Sequence, residues 1–151
     1  MKYLLPFLFL ALSSPAMAEI YPGPFKAEVY YVNDGDTFFA RVKLWPGLNT
    51  DVNIRLRGVD TPETWRPECE SEKTAGKTAT QFIMDLFGSP HRGAILDKPM
   101  AVVELRNVKL GKYAGRVLAD VFYKNADVAK GIIDAGLGRA YTGGKRHGWC
   151  D

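Results

Sequence analysis

Two arginines and two carboxylates crowd one short run, Ile54-Arg55-Leu56-Arg57-Gly58-Val59-Asp60-Thr61-Pro62-Glu63. Opposite charges at that density are costly to gather unless something uses them. A phosphate with a metal ion beside it would use both signs. A second acidic cluster, Asp34-Gly35-Asp36-Thr37, lies upstream. Hard cations such as Ca²⁺ take several carboxylate and carbonyl oxygens at once, in a flexible shell. Two acidic turns converging on one edge of a sheet would supply Asp36, Asp60 and a backbone carbonyl. Alone, Asp-Gly-Asp-Thr is no more than a hairpin cap; its pairing with Arg55 and Asp-Thr-Pro-Glu gives it weight. Downstream, Lys109-Leu110-Gly111-Lys112-Tyr113-Ala114-Gly115-Arg116 sets cations around one aromatic, with glycines that permit close approach. That composition suits a phosphodiester chain and a stacked base, although a solvated hairpin tip has it too. Tyr141 to His147 repeats it on a looser segment.

The elements that must position these groups follow from periodicity. Phe25 to Val32 reads as a strand, and Asn33 to Asp36 as a tight turn in which Gly35 suits a positive φ. Thr37 to Trp45 is the second strand, with Phe38, Ala40, Val42 and Leu44 alternating against Phe39, Arg41, Lys43 and Trp45. After a turn at 46–49 comes the third, with Val52, Ile54 and Leu56 on one face and Asn53, Arg55 and Arg57 on the other. It ends at Gly58. Residues 71–87 change period: Ala75, Ala79, Phe82, Ile83 and Leu86 mark one helical face, with Ser71 as N-cap and Gly88 as stop. Two more strands, Met100 to Arg106 and Val117 to Tyr123, are joined by Asn107 to Arg116. A last helix runs from Val128 to Ala135, capped by Asp127. This order predicts a mainly β fold with helices (α+β): a five-stranded OB barrel, a helix between strands 3 and 4, and a C-terminal helix. An α+β sandwich has the same element order.

Composition sets broad limits. The chain has 151 residues, 46% hydrophobic and 25% charged, the balance of a folded protein rather than a disordered tail. A formal charge of +3 does not establish a nucleic-acid partner. Residues 1–18 read as a signal peptide: Lys2, an apolar Tyr3 to Leu12, then Ala16-Met17-Ala18. Its apolar run is too short to span a bilayer. Cleavage would leave one domain, 19–151, exported to a periplasm or the exterior. There, Cys69 and Cys150 are most simply a disulfide. A zinc site of Cys69, His91, His147 and Cys150 lacks the usual spacing.

Asp34 to Thr37, Arg55 to Glu63, Tyr113 to Arg116 and Gly136-Leu137, in that order, resemble the staphylococcal nuclease (thermonuclease) family over essentially the whole exported region. The resemblance implies an OB barrel and a Ca²⁺-dependent, sugar-nonspecific phosphodiesterase acting on DNA and RNA, expected to be a monomer. Position by position, it implies Asp36 and Asp60 as metal carboxylates, Thr61 as the metal's carbonyl, and Glu63 as a carboxylate reaching it through water. It likewise implies Arg55 and Arg116 as catalytic arginines, Lys112 and Tyr113 beside a substrate phosphate, and Tyr141 as a base-stacking ring. One departure is an extra residue, since Tyr113-Ala114-Gly115-Arg116 replaces the usual Tyr-Gly-Arg. Water attack, with Glu63 taking the proton, would leave 3′-phosphorylated products. The contrasting reading is an exported nucleic-acid-binding OB module with a dead site. The presence of Arg55, Glu63 and Arg116 favours the enzyme.

Overall fold

The computed structural model of the protein describes residues 19–89, 91–93 and 98–150. The leader expected at 1–18 lies outside the described residues.

β1 (Phe25–Val32), β2 (Thr37–Trp45) and β3 (Leu48–Leu56) form the expected antiparallel meander. β1 also pairs with β5 (Ala101–Leu110), and β5 with β6 (Arg116–Tyr123), again antiparallel. β6 then runs parallel to β3, from Asn53↔Arg116 to Leu56↔Ala119. That pairing closes a five-stranded barrel, and the OB barrel is the fold. Inward positions alternate as the pattern requires: Val29, Phe38, Ala40, Ile54, Leu56, Val103, Leu105 and Val121 are all buried. Leu44, assigned to the inner face, is instead exposed, because β2 outruns the barrel there.

Several elements depart from expectation. β5 continues past Arg106 to Leu110. Asn107, at φ 50°, absorbs a bulge between Arg106 and Lys109, and the strand then resumes. Three short strands were missed: β4 (Gly58–Asp60), directly after β3, a two-residue strand just before the last helix, and a final strand after that helix that pairs with β4. The first helix, α1 (Glu70–Leu86), starts earlier than expected and is capped by Cys69, not Ser71. Its buried stripe is Glu72, Gly76, Ala79, Thr80, Ile83 and Met84, leaving Ala75, Phe82 and Leu86 at the edge. The stripe is rotated because the first half of α1 packs on polar turns rather than on the barrel core. Gly88, at φ 71°, is the stop as expected. Its second half packs on the barrel through Phe87, whose ring stands edge-on to Phe38 at 5.6 Å and Tyr123 at 5.5 Å.

The hairpin strand β7 (Ala126–Asp127) leads into α2 (Val128–Asp134), capped by the Asp127 carboxylate on Lys130 N–H at 3.0 Å. α2 buries Val128, Ala129 and Ile132 at the barrel end. β8 (Arg139–Tyr141) then returns to pair antiparallel with β4. None of the helices among the described residues is long and apolar enough to cross a membrane.

Cys69 and Cys150 are bonded, with Cα atoms 6.0 Å apart across 81 positions. The link ties the tail to the start of α1. For a closed loop of this length, chain entropy gives an upper figure of roughly 4–5 kcal/mol. Reduction should therefore lower the thermal midpoint by on the order of 10 °C, measured by calorimetry with and without reductant. An unchanged midpoint, or free thiols in unreduced protein, would refute the link.

Candidate active site

The register of β2 on β3 decides where the acidic groups meet. Thr37 lies opposite Arg55, so Asp36 stands at the end of β2 beside the Arg55–Leu56 step. Leu56 N–H donates to the Asp36 carbonyl at 2.8 Å, which fixes that placement. β4 then carries Asp60 and Thr61 back over the same corner. The Asp36 carboxylate accepts the N–H and the hydroxyl of Thr61, each at 2.9 Å, through one oxygen. Its other oxygen faces Arg55 and the Thr37 hydroxyl. Arg55 also donates to Asp60 Oδ1 at 3.1 Å. One guanidinium thus bridges two carboxylates that are 1% and 5% exposed. Burial drives the Asp36 carboxyl up to about 7, against the pull of Arg55.

Both acidic turns rest on one face of α1. Gly35 was expected to supply a positive φ, but its φ is not in that region. It is glycine because a Cβ there would stand 2.6 Å from Ala79 Cβ and 3.0 Å from Thr61 Oγ1. Gly76 is the same on the opposing side: its Cβ would meet the Pro62 carbonyl at 2.7 Å and the Glu63 carbonyl at 2.9 Å. The Glu63 loop is held further by Glu72, which is 4% exposed. Glu72 accepts Glu63 N–H at 3.3 Å and Glu68 N–H at 2.6 Å. The side chain at the third helical position therefore reaches back over the loop, as in a capping box. Sequence reasoning passed over Glu72; its place three residues after the cap was the available signal.

Gly76→Ala tests this contact. Alanine raises helix propensity by about 1 kcal/mol, but overpacking costs about 1–3 kcal/mol. The expected result is lower stability together with slower turnover, because the displaced backbone is that of Glu63. A higher thermal midpoint with unchanged kcat would show that the loop has room.

The other sequence-derived candidates divide. Glu63 is at the cluster, half-exposed, with Oε1 accepting from Arg146 at 2.7 Å. Arg57 is elsewhere committed, donating to both Asp120 oxygens at 2.8 and 2.6 Å. Arg116 lies beside Asn53 in the parallel ladder, two positions along β3 from Arg55. Its guanidinium sits 4.7 Å from the centroid of Tyr113, whose ring also has Lys112 Nζ at 5.7 Å. Arg116 Nε is buried and finds no partner among the described residues. The structure groups Lys112, Tyr113 and Arg116, and among the described residues no hydrogen bond or ion pair joins them to the acidic corner. Tyr141 stands in β8 opposite Gly58, its hydroxyl donating to the Gly144 carbonyl at 2.8 Å.

Two tail residues join the site without having been expected there. Arg146 donates to Asp60 Oδ1 at 2.5 Å and to the Thr61 carbonyl at 3.3 Å, besides Glu63. Trp149 Nε1 donates to Asp60 Oδ2 at 3.3 Å. Burial pulls the Arg146 guanidinium toward neutrality, but hydrogen bonds to Glu63 and Asp60 outweigh it and hold the charge. The donor set suits a hard dication: two buried carboxylates, a backbone carbonyl and a third carboxylate, with no sulfur or imidazole. That a guanidinium already settles among Asp60, Thr61 O and Glu63 shows the corner to be made for positive charge.

Fold and corner together define an OB-barrel protein with a corner of oxygen donors edged by arginines. The chain belongs to the staphylococcal nuclease family: the family model described as "Staphylococcal nuclease homologue" matches residues 53–148. The family supports a nuclease-type function, a hydrolase that ordinarily uses a metal ion and acts on nucleic acids. The match includes Arg55, Asp60, Glu63 and Arg116, while Asp36 joins them only through the β2–β3 register. No curated protein matches the chain.

Proposed function

We propose that this protein is an exported, monomeric, Ca²⁺-dependent endonuclease that hydrolyses both DNA and RNA by water attack and leaves 3′-phosphorylated ends. The observation that carries the reading is the convergence of Asp36, Asp60, the Thr61 carbonyl and Glu63 at one buried corner with Arg55 across it. Asp36, Asp60 and the Thr61 carbonyl would hold the cation. When bound, Ca²⁺ supplies positive charge where the phosphodiester becomes more anionic.

The remaining chemistry belongs to side chains. Glu63 accepts a proton from the attacking water, and its half-exposed position leaves room for that water. Arg55 offers a fixed fork of donors to the equatorial oxygens, whose charge grows in the transition state. Arg116 adds a second guanidinium from the β6 side. Lys112 and Tyr113 receive the flanking phosphate, and Tyr141 stacks a base. Contacts to phosphate and to a base face, without base-edge reading, make the activity indifferent to sequence and sugar.

The end group tests the reaction. Plasmid DNA and a folded RNA are incubated with protein and Ca²⁺, and products are offered to a polymerase before and after phosphatase treatment. Cleavage of both polymers, with extension only after phosphatase, is the expected result. Products that extend without phosphatase would show that the opposite bond breaks.

A further inference from the structure

The tail beyond α2 is fastened over the acidic corner by several independent ties. β8 pairs with β4, which sets Arg139 opposite Asp60. Arg139 donates to the Gly148 carbonyl at 2.8 Å, and its guanidinium lies 3.6 Å from the centroid of the Trp149 ring. Trp149 holds Asp60, and Cys150 is bonded to Cys69. Arg146 stands within this clamp, contacting Asp60 Oδ1, Glu63 Oε1 and the Thr61 carbonyl.

Two of those acceptors, Asp60 and the Thr61 carbonyl, are ones that the proposed function assigns to the cation, and the third, Glu63, is its general base. They are also crowded, because Asp60 Oδ1 takes Arg55 as well. Asp36, Asp60 and Glu63 face Arg55 and Arg146, so with Arg146 in place little net charge remains to attract a dication. The Arg146 end of the pair is 37% exposed while Asp60 is buried, and Asp60 keeps Arg55 as a partner when Arg146 leaves. An open groove of about 360 Å³ adjoins Arg146; Arg66, Lys145 and Trp149 line it, together with Glu63, Glu68 and Glu72. It gives a guanidinium leaving the carboxylates a place beside two further cations and an indole face. Arg66, Lys145 and the indole are the part of that lining that suits a phosphodiester chain.

We propose that Arg146 is a third arginine of the active site, one that exchanges partners. In the free enzyme it pairs with Asp60, Glu63 and the Thr61 carbonyl; when a dication takes Asp60 and that carbonyl, Arg146 turns to a phosphate of the nucleic acid. The exchange is short in reach, because Cys150 anchors the tail four residues further on. By linkage, dication and nucleic acid each strengthen binding of the other through this side chain. The inference rests on the nuclease reading above, and its test separates the two.

Arg146→Gln and Arg146→Lys are made in the full, oxidised chain, with thermal unfolding to confirm folding. Calorimetric titration with Ca²⁺ alone is compared with kcat and KM on DNA. Arg146→Gln is expected to bind Ca²⁺ about tenfold more tightly and to show a KM about tenfold higher, within the usual range of coupling between sites. Arg146→Lys should restore part of both. Unchanged or weaker Ca²⁺ binding in Arg146→Gln, or an unchanged KM, overturns the exchange while an active wild type keeps the nuclease reading. A wild type that neither binds Ca²⁺ nor cleaves overturns both.

Discussion

Arg55→Lys is expected to lower kcat by about 10²–10³-fold, the scale of losing one transition-state donor, with the fold intact. Arg55 spans Asp36 and Asp60 from the strand side of the corner, and under the proposed mechanism it offers its guanidinium to phosphate once a cation takes those carboxylates. An ammonium is a point charge on a flexible stem and cannot reproduce the fork. Arg57→Lys should change kcat by less than about tenfold, because that guanidinium is directed at Asp120 and only helps hold the scaffold. Steady-state kinetics, with circular dichroism and calcium titration as controls, check both variants. Greater damage from Arg57→Lys would remove Arg55 from its assigned role.

Glu63→Gln is expected to lower kcat by about 10²–10⁴-fold, the usual contribution of a positioned general base. The amide keeps the size of the carboxylate and can still accept from Arg146, but it cannot take the proton from water. The loop beneath should not move, since Glu72 and the close contact at Gly76 act on the backbone. KM for DNA and the thermal midpoint should therefore change little. Single-turnover rates at saturating substrate give the measurement. A variant keeping more than about a tenth of wild-type kcat would mean that another group accepts the proton.

The barrel was legible where alternation was uninterrupted. Phe38, Ala40 and Val42 gave β2 its inner face, and the bounds of β1 and β2 coincide with expectation. Element order left an α+β sandwich open and the family resemblance implied the barrel, because the parallel β3–β6 pairing leaves no local trace. β8 was missed since three residues, Arg139 to Tyr141, are too few to show a period. Arg55 and Arg57 are indistinguishable by periodicity; a partner 63 positions away, Asp120, sets Arg57 apart. Arg146 left a signal that went unused. A bond from Cys150 to Cys69 must bring the intervening tail toward Glu63, which lies six residues before Cys69. The small residues at Gly35 and Gly76 were also misjudged. Close approach between elements, rather than backbone conformation, explains them, and only the assembled structure reveals such contacts.

Cation dependence tests the central claim most directly. Purified, oxidised protein is incubated with supercoiled plasmid in Ca²⁺, in excess chelator, and again after Ca²⁺ is restored, with Mg²⁺ alone in a parallel reaction. The account predicts cleavage with Ca²⁺, none in chelator, and full recovery on restoration. Mg²⁺ should substitute poorly because it demands octahedral geometry and keeps its waters. Plasmid that is bound but never cut would mark an inactive nucleic-acid-binding module. Full cleavage in excess chelator would contradict the assignment of Asp36, Asp60 and Thr61 as cation ligands.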